Sequence, residues 1–208
     1  MDLTALIASV RSTLDDTGTT DPSDDEIIVW LNEANVKLAS ELEDLEDAAS
    51  VNLVAGTAGY ALPSDFLRLE QAQYNGIFLK PITRAKLKTF AAVGNPTTSQ
   101  TGTSEYCYVR AGSLWLFPAP DTSLTAGLVL WYYKKPAVLA VGVECQHDSS
   151  LHYLLPYYAC FLGYQKDMYT NESQIFYNYW MQGLENAREW MEIGEDRIEL
   201  GQIYDPGD

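Results

Sequence analysis

The chain has 208 residues, 47% of them hydrophobic, with 29 acidic against 13 basic side chains and a formal charge of -16. That length and apolar content fill one sizeable core or two smaller ones, which excludes a disordered tail or a disulfide-stapled mini-protein. The charge excludes tight generic wrapping of nucleic acid, because such binding depends on cations that displace condensed counterions.

Near the amino end, Leu3, Leu6, Ile7, Val10 and Leu14 recur every three or four residues, which predicts an amphipathic helix ending near Thr17 and Gly18. Pro22, Ser23 and Glu26 announce a second helix with a capping box, and Asp24 and Asp25 sit at the positive end of its dipole. Ile27, Leu31, Ala34, Leu38, Leu42 and Leu45 form its buried stripe. Val29 and Trp30 fall off that stripe, so each meets either another element of the same body or a partner.

From Val51 the periodicity changes to short β-type runs: 51–54, 66–74, 77–79, 105–110, 114–117 and 128–133. Asn75-Gly76 is a strong hairpin signal and Ala111-Gly112 a weaker one, and together the runs predict an antiparallel sheet. A short helix is expected over 84–91 and a polar loop over 94–104.

After Gly142 helical pattern returns, with Leu151, Leu154, Leu155, Tyr158, Leu162 and Tyr169 on one stripe. Pro156 either lies in the first turn, moving the helix start to about Tyr153, or kinks the helix. Asn171 and Gln174 offer a second capping pair, opening a helix to about Arg197, roughly 39 Å long. Its apolar residues cover more than half of the circumference, which exceeds what one packing face requires. Trp180 and Trp190 on that wide face, together with Trp30, are therefore candidates for a subunit or partner interface. The narrow remaining face carries Asn178, Gln182, Glu185, Glu189, Glu192 and Asp196 with no lysine among them, either a solvated face or a surface kept negative for a purpose.

Fold class follows as α+β: a helical bundle formed by both chain ends, residues 1–50 and 149–208, with an inserted antiparallel β-sheet domain over 51–148. Cut instead at 50/51 and 135/136, where the charge pattern changes, the chain carries -11 over 1–50, +4 over 51–135 and -9 over 136–208.

Catalytic chemistry is scarce. Nucleophilic catalysis needs a positioned base, and the only histidines are His147 and His152. With Cys145 they could touch one zinc ion, but the spacing matches no familiar structural site and no fourth ligand is evident. Cys107, Cys145 and Cys160 read as buried free thiols. No phosphate-binding glycine loop or nucleophile elbow is present. No catalytic residue, metal or cofactor is expected. Trp115, Trp131, Tyr132 and Tyr133 read as sheet packing ahead of a sugar platform. No run approaches the roughly 20 apolar residues of a membrane span, and the first residues lack a signal-peptide pattern, so synthesis and assembly are expected in the cytoplasm.

Several residue groups together resemble one family. Trp30-Leu31-Asn32-Glu33-Ala34, Tyr60-Ala61-Leu62-Pro63-Ser64-Asp65-Phe66, Leu116-Phe117-Pro118-Ala119-Pro120-Asp121 and Leu130-Trp131-Tyr132-Tyr133-Lys134-Lys135-Pro136 look like the head-to-tail adaptor, or connector, proteins of tailed bacteriophages. The resemblance spans nearly the whole chain. It implies a structural virion protein of the neck, not an enzyme, assembled as a ring of usually twelve copies under the portal protein. The ring continues the DNA channel, passes double-stranded DNA without specific binding, and gives tail or nozzle proteins a platform. On that reading Glu185, Glu189, Glu192 and Asp196 line the channel, and Ile203 and Tyr204 in the carboxyl-terminal segment dock on the portal. The alternative is a carbohydrate-binding or host-surface-binding module of a phage tail, read from the aromatics and the β insert.

Overall fold

The computed structural model describes residues 1–14, 22–83, 86 and 101–203, with backbone alone from 192 onward. The helix expected over 84–91, apart from Lys86, the 94–100 part of the expected loop and the helix stop at Thr17 and Gly18 lie outside the described residues. The chain is α+β and divides into two compact units, one of residues 1–45 and 135–208 and one of residues 46–134.

In the first unit, α1 (Leu3–Thr13) begins at Asp2, whose Oδ1 accepts from Ala5 N at 2.8 Å. Helix α2 (Asp24–Leu42) opens on the expected capping box: Ser23 Oγ accepts from Glu26 N at 3.3 Å and Glu26 Oε2 accepts from Ser23 N at 3.2 Å. Glu43 closes it in the left-handed conformation, at φ 54°. Helix α3 (Leu154–Lys166) starts just after Tyr153, so Pro156 lies in the first turn, where its missing N–H costs no hydrogen bond. Helix α4 (Thr170–Ile203) starts before Asn171, so that residue is helical and does not cap; Ser173 N donates to Tyr169 O at 3.0 Å, and Gln174 Nε2 donates to Asn178 Oδ1 at 3.0 Å. All six residues of the expected stripe are buried, but α2 stops at Leu42, so Leu45 lies beyond it; the five from Ile27 to Leu42 share a core with Leu6, Val10, Leu154, Leu155, Trp180 and Leu184 from the other three helices.

In the second unit, one sheet has the order β1 (Glu46–Leu53), β10 (Leu124–Lys134), β3 (Phe66–Tyr74), β4 (Ile77–Phe78), all antiparallel. The other has the order β2 (Gly59–Ala61), β8 (Ser113–Phe117), β7 (Tyr106–Arg110), β5 (Lys80–Pro81). Its β5–β7 pair is parallel, as is the small pair of β6 (Thr101–Gly102) and β9 (Ala119–Pro120). Both sheets supply one core, in which Leu53, Leu128 and Leu130 meet Leu114, Leu116 and Cys107. Both hairpin signals hold: Asn75 and Gly76 have φ of 47° and 80°, Ala111 and Gly112 of 48° and 71°. Two successive positive φ values give the turn twist that matches antiparallel strands.

The unit boundaries fall at 45/46 and 134/135, not at 50/51 and 148/149. Residues 46–50 extend β1, with Glu46 opposite Tyr133 and Ser50 opposite Val129. Residues 135–148 form an irregular strap on α2. Asn32 Oδ1 accepts from Leu139 N at 2.7 Å and Asn32 Nδ2 donates to Leu139 O at 3.2 Å, while Asn35 Nδ2 donates to Ala137 O at 3.0 Å. Leu139 and Cys145 of the strap are buried in the helical core. Counted by these units, the helical one carries 23 acids and six bases and the β one six acids and seven bases. The excess of +4 expected for the insert therefore shrinks to +1, against -17.

Candidate functional site

Among the described residues, the surface with most unspent chemistry lies on α4. Its inward stripe is Ser173, Tyr177, Trp180, Leu184, Ala187 and Met191, a 4-3-4-3-4 spacing that keeps one side of a helix against its neighbours. Gly183 permits the close approach to α3: a methyl there would overlap Leu154 and lie 3.3 Å from the Tyr153 hydroxyl. The wide apolar face is thus only half used. Ile175, Tyr179, Met181 and Trp190 remain 48%, 50%, 41% and 61% exposed.

Alongside them α3 contributes rings. Tyr157 meets Tyr153 edge-on at 6.0 Å and Tyr179 at 5.8 Å; Phe176 meets Tyr179 at 6.1 Å and stacks on Tyr164 at 5.4 Å. The result is an aromatic ridge along α3 and α4, partly open to water, of the amphipathic kind that protein interfaces favour. At its end a notch of about 190 Å³ is lined by Ser150, Leu151, Tyr153, Asn186, Ala187 and Trp190.

Glu185 and Glu189 are exposed on the same helix, and among the described residues neither has an ion-pair partner. The nearest cation in sequence, Arg188, turns to α2 and donates to Glu41 Oε2 at 2.8 Å. Glu41 also accepts from Lys37 Nζ at 2.7 Å, and Lys37 first, then Arg188, hold its carboxyl below the usual range. Arg188 thus fastens α4 to α2 while Lys37 pairs within α2, and the acidic strip is left without a cation among the described residues. The side chains of Glu192 and Asp196, and Ile203 and Tyr204, lie outside the described residues.

The three tryptophans suggested for an interface separate. Trp180 is a core residue, 2% exposed, with its ring 4.9 Å from Tyr158; it is removed from any outer surface, because the buried stripe of α4 runs through it. Trp30 is half-buried over Gly163 of α3, where an added methyl would come within 3.1 Å of its ring, and Lys166 Nζ lies 6.0 Å above it. Its neighbour Val29 is 62% exposed. Trp190 alone of the three is largely exposed.

The aromatics of the β unit are engaged with one another or with backbone. Trp115 stacks with Tyr108 at 6.3 Å and lies against Gly59, Trp131 meets Phe78 at 6.1 Å, and Tyr132 is buried and donates to Asp65 Oδ1 at 3.2 Å. A cleft of about 550 Å³ in this unit is lined by β3, β5 and β7, with Phe66, Leu69, Pro81, Ile82 and Val109 on its walls.

Of the residues weighed for zinc, His147 and His152 are both buried and each has both ring nitrogens in contact with protein groups. Burial raises the Cys145 thiol above its ordinary range. Among the described residues no group of three His, Cys, Asp or Glu side chains converges to hold a metal ion. Nor, among them, is any helix long and apolar enough to cross a membrane. Sequence reasoning passed over Asn35 and Asp44 and met Asn32 only within a family motif, without its role; the partners of all three are about a hundred residues away in the chain. A family model described as SU10 adaptor protein matches residues 1–199, and no curated protein matches the chain.

Proposed function

Because the chain belongs to the SU10 adaptor protein family, and is therefore a structural adaptor of a phage virion that contacts other virion proteins, we propose that it forms the head-to-tail ring. Copies of the chain close a ring, usually of twelve, that docks under the portal, continues the DNA channel and carries the tail. It catalyses no reaction and needs no cofactor. The helices of both chain ends form the bundle that builds the ring wall.

The observation that carries this reading is the divided outer face of α4, apolar along Ile175, Tyr179 and Trp190 and anionic along Glu185 and Glu189. An apolar strip that the protomer leaves open suits a neighbouring subunit or portal, since large exposed apolar surface is costly unless covered. An acidic strip without cations suits a wall that DNA slides past, because paired lysines would give phosphates something to hold. Glu192 and Asp196 continue that strip in the sequence, and Ile203 and Tyr204 give the carboxyl end two apolar anchors for the portal.

Replacing Glu185 and Glu189 with lysine should leave folding intact, as both positions are exposed, yet lower the yield of infectious particles by impeding DNA passage. An assembled ring that turns these carboxylates outward would refute the channel assignment. Deleting residues 199–208 should leave the fold intact and abolish pull-down with the portal protein; undiminished capture would remove Ile203 and Tyr204 from the docking role.

A further inference from the structure

The strap of residues 135–148 is fastened to α2 at its far end by a buried pair that the adaptor reading does not use. His147 Nδ1 lies 2.7 Å from Asp44 Oδ2, and Nε2 lies 3.1 Å from the carbonyl oxygen of Asn35. The imidazole is fully buried and the carboxyl 9% exposed.

A carbonyl oxygen only accepts, so Nε2 must bear a hydrogen. The contact between Nδ1 and Oδ2 then needs a second hydrogen, on either the ring or the carboxyl. A neutral imidazole beside a carboxylate has one hydrogen for the two contacts and would set a nitrogen lone pair against an anion at hydrogen-bond distance.

The titratable groups facing this pair do not supply the missing hydrogen. His152, at the start of α3, donates through Nε2 to His147 O at 2.9 Å, and its Nδ1 is 3.0 Å from the Met1 amino group. Cys145, on the strap itself, is a buried thiol that senses both the Asp44 charge and the Met1 amino group.

We propose that the His147–Asp44 pair binds one extra proton in the folded protein, and that this proton clamps the strap to α2. The sign of its effect follows from linkage. Below the ordinary imidazole range, about pH 6.5, the unfolded chain carries the proton too and nothing differs. Above it the unfolded chain has released the proton and the folded chain has not, so the clamp weakens as pH rises. The folding equilibrium constant then falls by up to about tenfold per pH unit.

Urea unfolding of the full chain between about pH 6.5 and 8, compared with Asp44→Asn, tests this. In the variant the amide can donate to Nδ1 of a neutral ring while Nε2 still donates to Asn35, so both contacts are met without an extra proton. The stability of the native chain should fall with pH relative to the variant, by up to about tenfold in folding constant per unit. Every group other than residue 44 is common to the two proteins, so the comparison isolates the pair. Equal slopes overturn the proposal. Should the variant fail to fold, proton NMR of the native chain at neutral pH decides. A downfield hydrogen in the Nδ1···Oδ2 contact, held by the ring or by the carboxyl, is expected besides the one on Nε2, and the absence of any hydrogen from that contact overturns the proposal.

Discussion

Burial sets the chemistry of individual residues most visibly at the cysteines. Desolvation pushes the Cys107 thiol up to about 11 and the Cys160 thiol up to about 12, because a thiolate in either core would lose its hydration without gaining a cation. The sign is that of a group whose folded value is raised. Below pH 9, the ordinary thiol value, both states hold the proton and the stability is intact; above it the unfolded chain releases protons that the folded chain keeps. Urea midpoints should therefore show an added loss from pH 9 upward, at most about 1.4 kcal/mol per pH unit for each thiol. Cys160→Ala should lie lower at neutral pH, through the cavity it leaves, yet decline less steeply on the alkaline side. A parallel decline would show that other groups carry the alkaline loss. Tyr132, raised to about 12 first by burial and then by Asp65, adds to the loss at still higher pH.

Among the elements, α2 is tied to its neighbours by charge as well as by burial. Its start is tied to α1 by Arg11, which donates to Asp24 Oδ1 at 2.7 Å, and to α3 by Lys166, which donates to Glu26 Oε1 at 2.6 Å. The Lys166–Glu26 pair is exposed and fixes orientation more than it adds stability, whereas Arg11 is mostly covered and only its partner Asp24 is open to water. The strap depends on α2 differently. Asn32 presents both a donor and an acceptor to Leu139, so one amide stands in for a missing strand neighbour. Asn32→Ala leaves the Leu139 N–H and carbonyl without partners beside a buried side chain. It should cost about 2 kcal/mol, read as a fall of about 4–8 °C in Tm. Asn32→Asp keeps the acceptor for Leu139 N–H but sets a carboxylate oxygen against the Ile28 and Leu139 carbonyl oxygens, so it should lose stability as well. Equal stability of the alanine variant and the native chain would show that burial of Leu139 alone holds the strap.

For the whole molecule, the uneven charge decides how copies meet. The helical unit carries -17 and the β unit +1, so attraction between the acidic unit of one copy and the β unit of another is weaker than the -11, +4 and -9 segment charges suggested. Repulsion between acidic units should then dominate between free copies, leaving the isolated protein monomeric until a template gathers it. Shortening the Debye length from about 10 Å at 0.1 M salt to about 3 Å at 1 M should promote self-association, seen as a rise in mass by light scattering. Dissociation with rising salt would instead mean that attractive ion pairs hold the ring.

Local periodicity was enough to determine a good deal: both amino-terminal helices, the stripe from Ile27 to Leu42, the capping box at Ser23, the two hairpin turns, strand β3 residue for residue, and an α4 with more apolar surface than one contact can bury. Each is encoded by neighbours a few residues apart, where spacing and turn chemistry act directly. Only the tertiary structure decided which apolar side of α4 is covered, placing Trp180 inside and Trp190 outside. It also turned 46–50, which carry acidic residues after a helix and look like its tail, into the first half of β1, because β10 offers them an open edge. The strap and its clamp were illegible for the same reason. Asn32 meets Leu139 across 107 positions and His147 meets Asp44 across 103, and no local pattern marks a polar residue whose partner lies that far along the chain. Burying such residues is tolerable only when each finds its hydrogen-bonding partner, so their meaning rests on the fold that brings the partners together.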